Sequence, residues 1–160
     1  MITLYVLWNT IIDSEKARKY DEKLNFFDKI TKISSDFNAA IGYLFALATR
    51  LIATPDNELY RLYLEQANST AGIGTEMNIL LASRSEVYDC EEFLESFSEV
   101  VDQINKISDM FEHELGNRFT NEVEVKKIDC EMDIVLEKVI ELQTILIGCI
   151  KKNLYKKTDT

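Results

Sequence analysis

The stretch Val125–Cys149, VKKIDCEMDIVLEKVIELQTILIGC, places Val125, Ile128, Met132, Val135, Val139, Leu142, Leu146 and Cys149 at alternating steps of three and four, with charged residues between them. That spacing is the heptad signature of a helix that buries one seam. The seam holds no nucleophile with a base, no phosphate-binding loop and no ligand set. It specifies an architecture and is silent on chemistry.

Outward from this stretch, three more helices are expected to cover it. In the segment 24–53, Ile30, Ile33, Phe37, Ile41, Leu44, Ala48 and Leu51 again step by three or four. The second half of that segment is apolar nearly all round, but it is short for a bilayer span and carries Asn38 and Arg50, so it reads as a deeply buried helix. Thr54-Pro55-Asp56 is a start signal, with threonine as cap and proline at the first helical position, for a helix over 55–83. Its face is read as Leu59, Leu62, Ile73, Met77 and Leu80. Gln66, Ser69 and Thr70 interrupt that stripe and Gly72 and Gly74 weaken it, which suggests a close approach, a kink or a ligand niche. Ser83 with Glu86 reads as a capping box that opens a helix over 85–116, whose face is Cys90, Phe93, Phe97, Val100, Ile104, Ile107, Phe111 and Leu115. Gly116 supplies the stop, and Asn121 with Glu124 opens the last helix, 121–156.

One proline and five glycines leave few turns, so the expected fold is all-α. Short connections make consecutive helices antiparallel, giving an up-down-up-down four-helix bundle over residues 24–157. Residues 1–23 are set apart as an N-terminal apolar appendage that packs on the bundle or leads to an interface. Ile2–Ile12 fits either a strand or a helix. The last helix carries a second apolar stripe, Leu136, Ile140, Ile147, Ile150 and Leu154, beside a basic collar of Lys16, Arg18, Lys19, Lys151, Lys152, Lys156 and Lys157. Trp8, Ile140, Ile147, Ile150 and Leu154 therefore mark an apolar end. The favoured cover is Ile2–Ile12 folded back on the last helix. A homodimer is the next alternative, and contact with an anionic membrane surface the minority one.

Charge narrows the function classes. A net charge of −10 disfavours a sequence-independent grip on nucleic-acid phosphates. From Arg84 to Gly116 there are ten carboxylates against two basic residues, so this segment supplies −8 of the total. Glu92, Glu95, Glu99, Asp102 and Asp109 recur at helical spacing and form an acidic strip that fits a basic protein partner, because such a strip accelerates encounter by long-range attraction. An ordinary solvated face is the plainer reading of the same residues.

The function expected is a non-enzymatic interaction or adaptor bundle. A small-ligand sensor using Gln66, Ser69 and Thr70, or an acidic decoy that inhibits a nucleic-acid-binding enzyme, are the alternatives. No cofactor, metal site or catalytic residue is indicated. His113, the only histidine, sits in the last turn of the third helix, where it complements the helix dipole. Cys90, Cys130 and Cys149 are in no metal-ligand spacing. Cys90 and Cys149 fall at nearly one level of antiparallel helices and read as small buried hydrophobes in a reducing cytoplasm; Cys130 falls opposite the seam.

Overall fold

The computed structural model describes residues 2–116 and 118–155, with side chains from residue 12 onward. Four helices, α1 (Ile2–Ala53), α2 (Asn57–Ala82), α3 (Glu91–Gly116) and α4 (Glu122–Tyr155), form an antiparallel up-down bundle. The core is built from the three expected faces. All seven α1 positions are buried, as are Phe93, Phe97, Val100, Ile104, Ile107 and Phe111 on α3 and the α4 seam from Ile128 to Cys149.

Helix α2 departs from its expected face by about one residue. Tyr63, Thr70, Gly74, Met77 and Leu81 are buried, whereas Leu62 is exposed and Leu59, Ile73 and Leu80 are only partly covered. The reason lies in its neighbours: a Cβ on Gly74 would stand 3.4 Å from the Phe37 ring and 3.9 Å from that of Phe97. Two aromatic rings, themselves 5.0 Å apart between centroids, fill the space in front of α2, so small residues face them. The glycine serves close approach.

Two helix starts also differ. Asp56, not Thr54, caps α2, its Oδ1 accepting from the backbone N–H groups of Glu58 and Leu59 at 2.9 Å each. Ser83 does not open α3; it ends α2, and its hydroxyl donates to the Leu80 carbonyl. Between them Tyr88 turns inward and packs on Phe26 and Phe27, with ring centroids 4.5 and 5.4 Å away. Burying that ring holds residues 83–90 as turns, and α3 starts only at Glu91. Asn121 caps α4 as its sequence suggests, with Oδ1 accepting from Val123 and Glu124.

Ile2–Ile12 is neither a strand nor a folded-back element: its backbone is the first part of α1. Lys23 Nζ donates to the Asn153 carbonyl and Gln143 Nε2 donates to Ser34 Oγ, which sets the antiparallel register of α1 and α4. With 52 residues against 34, α1 is about 78 Å long to about 51 Å for α4, at 1.5 Å per residue. It runs on past the end of α4, and Asp13–Tyr20 is exposed throughout. Of the second α4 stripe, Leu136, Ile150 and Leu154 pack against the core, while Ile140 and Ile147 stay 69% and 51% exposed. The Trp8 side chain lies outside the described residues. No described helix is long and apolar enough to cross a membrane.

Candidate functional site

The outer face of α3 next to α4 carries the acidic strip. Glu92, Glu95, Glu99, Asp102 and Asp109 are all exposed, because their spacing sets them away from the buried phenylalanines. Their neighbour α4 answers only part of the charge. Lys138 reaches Glu99 at 3.4 Å, and Lys152 reaches Asp89 at 2.7 Å. Lys106, the one basic residue within the strip, is turned to Glu131 of α4 at 2.9 Å. Glu95, Asp102 and Asp109 enter no ion pair among the described residues. The bond from Lys152 to Asp89 holds its ammonium above the usual lysine range, with the charges of Asp89, Glu92 and Glu91 adding to the effect. On α4, partial burial and the nearby charge of Asp133 raise Asp129.

At the far end of α3 a residue that sequence reasoning passed over becomes prominent. Glu114 follows Ile104, Ile107 and Phe111 at the next seam step and is 3% exposed. Its Oε1 lies 3.1 Å from His113 Nδ1, and its Oε2 is buried with no hydrogen-bond partner among the described residues. The step pattern was the available signal, since Glu114 rather than Leu115 continues the seam. A cavity of about 480 Å³ is lined by Glu114 with Asp109, Met110, His113, Asn121 and Glu124. The α3–α4 turn fixes this corner: the Phe119 N–H donates to the Glu114 carbonyl at 2.9 Å, and Arg118 and Phe119 take left-handed φ values of 55° and 52°. No group of three or more His, Cys, Asp or Glu side chains is arranged to hold a metal ion among the described residues.

The residues expected to form a ligand niche are not brought together in one. Ser69 is exposed, Gln66 donates to the Ala40 carbonyl of α1 at 3.1 Å, and the buried Thr70 hydroxyl donates to the Gln66 carbonyl at 2.9 Å. Thr70 alone lines a cleft of about 400 Å³ between α2 and α3, floored by Phe37 and Leu44 and rimmed by Asn68, Asn78 and Asn105. The cleft exists because α2 and α3 touch least among the neighbouring pairs. Near it, burial pushes the Tyr63 hydroxyl above the usual tyrosine range, against the opposing effect of its hydrogen bond with Ser108.

The two core cysteines meet. Cys90 and Cys149 form a disulfide with Cα atoms 5.6 Å apart, which corrects their reading as unbonded hydrophobes, and Cys130 is free and exposed. Beside the bond, the buried Asn153 gathers hydrogen bonds through its side chain and its backbone carbonyl. Its amide donates to the carbonyls of Asp89 and Cys149, its Oδ1 accepts from the Asp89 N–H, and its own carbonyl accepts from Lys23.

The fold and surface thus define a four-helix bundle with one acidic outer face and an acidic corner. No family model, curated protein or solved structure matches the chain.

Proposed function

We propose that this chain is a non-enzymatic interaction bundle that docks a basic protein partner along the acidic face of α3. The observation that carries the reading is the exposure of Glu92, Glu95, Glu99, Asp102 and Asp109 on one face, with Glu95, Asp102 and Asp109 unpaired among the described residues. Uncompensated charge of one sign on a helical face raises encounter rates with an oppositely charged surface and selects against like-charged ones. Nothing is asked of the core, which is packed with apolar side chains. Replacing Glu92, Glu95, Glu99 and Asp102 together by lysine should abolish capture of the partner in pull-downs at physiological salt while the circular dichroism spectrum stays unchanged. Capture that survives this reversal would reduce the strip to a solvated face.

The cleft between α2 and α3 favours a second reading, a small-ligand sensor, because its apolar floor and amide rim suit a small molecule with both characters. A metabolite screen by thermal shift separates the two, since a ligand present at 100 times its dissociation constant adds about 2.7 kcal/mol of stability. An acidic decoy of a nucleic-acid-binding enzyme uses the same strip and would show as competition with nucleic acid for that enzyme.

A further inference from the structure

Two parts of the molecule depart from the rest in the same respect. Residues 2–12, ITLYVLWNTII, contain no charged residue in a chain that is 29% charged, and no charged residue lines the cleft between α2 and α3. The backbone of residues 2–12 continues α1 without a break, so this segment does not turn back onto its own bundle. Lys23 is level with Asn153 near the end of α4, which puts residues 2–12 about 16–32 Å beyond that end at 1.5 Å per residue. The cleft lies an equal distance to the other side of the same level. Gly74 and Phe97 both face Phe37, so the α2 lining from Ala67 to Asn78, antiparallel to α1, stands about 15–32 Å from Lys23 toward the middle of the bundle. On that lining Ala71 and Thr75 are exposed and Gly74 has no side chain, so the backbone of a further helix can come close.

We propose that two copies of this chain pair end to end, each laying residues 2–12 of α1 along the α2–α3 cleft of the other. A two-fold axis at the level of Lys23 sets each overhang beside the other copy's cleft along its length, because the two distances agree. Such a contact is the same on both copies and closes on itself, so it makes a dimer and not a fibre. Neutrality on both surfaces is the selective element, since a charge on either would be buried without a partner. The same overlap brings Lys16 and Lys19, which enter no ion pair among the described residues, near the start of the other copy's α3, where Glu91 and Glu92 lie in the first turn. A bilayer is the poorer occupant. Residues 2–12 are too few to span it, and in residues 13–23 four acidic residues balance four basic ones, so no basic surplus flanks the apolar segment. No residue of the acidic strip lines the cleft, so pairing in this way leaves the docking face of α3 open.

Analytical ultracentrifugation of the full chain, read together with the fluorescence of Trp8, its single tryptophan, tests the proposal. The chain should sediment as a dimer, and dilution through the dissociation constant should move the Trp8 emission to the red as the ring enters water. Two pairs of substitutions attack the two halves of the contact: Trp8→Glu with Ile11→Glu on the overhang, and Ala71→Arg with Thr75→Arg in the cleft. Each pair should raise the dissociation constant about 100-fold or more by burying unpartnered charge, with helicity kept, because Ala71 and Thr75 are exposed in the single chain. Mixing the two monomeric variants should restore a dimer, since one intact overhang then meets one intact cleft. Overhangs that paired with each other would instead leave the cleft variant dimeric. A monomer at all concentrations, a dimer indifferent to the cleft substitutions, or no rescue on mixing would each overturn the proposal. So would a monomer that floats with phosphatidylserine vesicles, which would assign residues 2–12 to a bilayer.

Discussion

The two ends of the bundle solve the same problem in opposite ways. Asn153 follows Leu146 and Cys149 at the next seam step of α4, as Glu114 follows Ile107 and Phe111 on α3, so each continues an apolar seam with a polar side chain and each is nearly fully buried. Around Asn153 the donors and acceptors are used, and the residues it ties together, Asp89, Cys149 and Lys23, come from three different parts of the chain. Around Glu114 one carboxyl oxygen has no hydrogen-bond partner among the described residues. A satisfied buried polar group specifies how elements dock, whereas one short of partners opposes its own burial. The Asn153 end is a clamp, and the Glu114 end is held less completely.

The largest test of the contrast is to open the clamp. Reducing Cys90–Cys149, which joins residues 59 apart, should lower stability to urea by about 4 kcal/mol on loop-closure entropy. Thiol titration of unreduced, unfolded protein should count Cys130 alone; three reactive thiols would leave the Asn153 network as the whole clamp.

Next come single substitutions at the two seams. Asn153→Ala removes the side-chain acceptor of the Asp89 N–H and a side-chain donor to the Asp89 carbonyl in a buried setting and should cost about 2–3 kcal/mol in urea denaturation. Glu114→Leu replaces a buried polar side chain at a seam step by an apolar one and should be neutral or stabilising by about 1 kcal/mol. The same sign for both changes would erase the distinction between the ends.

The smallest effect is expected at alkaline pH, from Tyr63, which packs on Phe111 one turn from Glu114. Tyr63 has a folded pKa above its unfolded value, so its contribution is fully present below about pH 10 and is lost as pH rises through the folded value. Tyr63→Phe should therefore flatten the alkaline limb of the stability profile, read as melting temperature against pH. An unchanged slope would place the alkaline loss elsewhere.

The faces of α1, α3 and α4 were legible because each repeats large apolar residues at helical steps, and burial of such residues is favourable against almost any partner. The acidic strip was legible for the converse reason: charges at the same spacing must lie opposite the phenylalanines. Glu114 and Asn153 were legible only as breaks in a seam, since a polar residue at a seam step can end the core or enter it. Helix α2 was misread by a residue because half of its buried face is Thr70 and Gly74, residues with little apolar surface of their own to declare a direction.

By itself, then, the sequence determined that four amphipathic helices pair antiparallel and that α3 turns a negative face outward, since both follow from periodicity along one chain. Tertiary structure alone decided which side of α2 meets Phe37 and Phe97, that Tyr88 and Asn153 pin residues 83–90 in place of another helical turn, and that Glu114 enters the core where Leu115 stays partly exposed. Each of these depends on what a different helix presents at the same level, and hydrogen-bond satisfaction and close packing are properties of pairs that no single stretch of sequence contains.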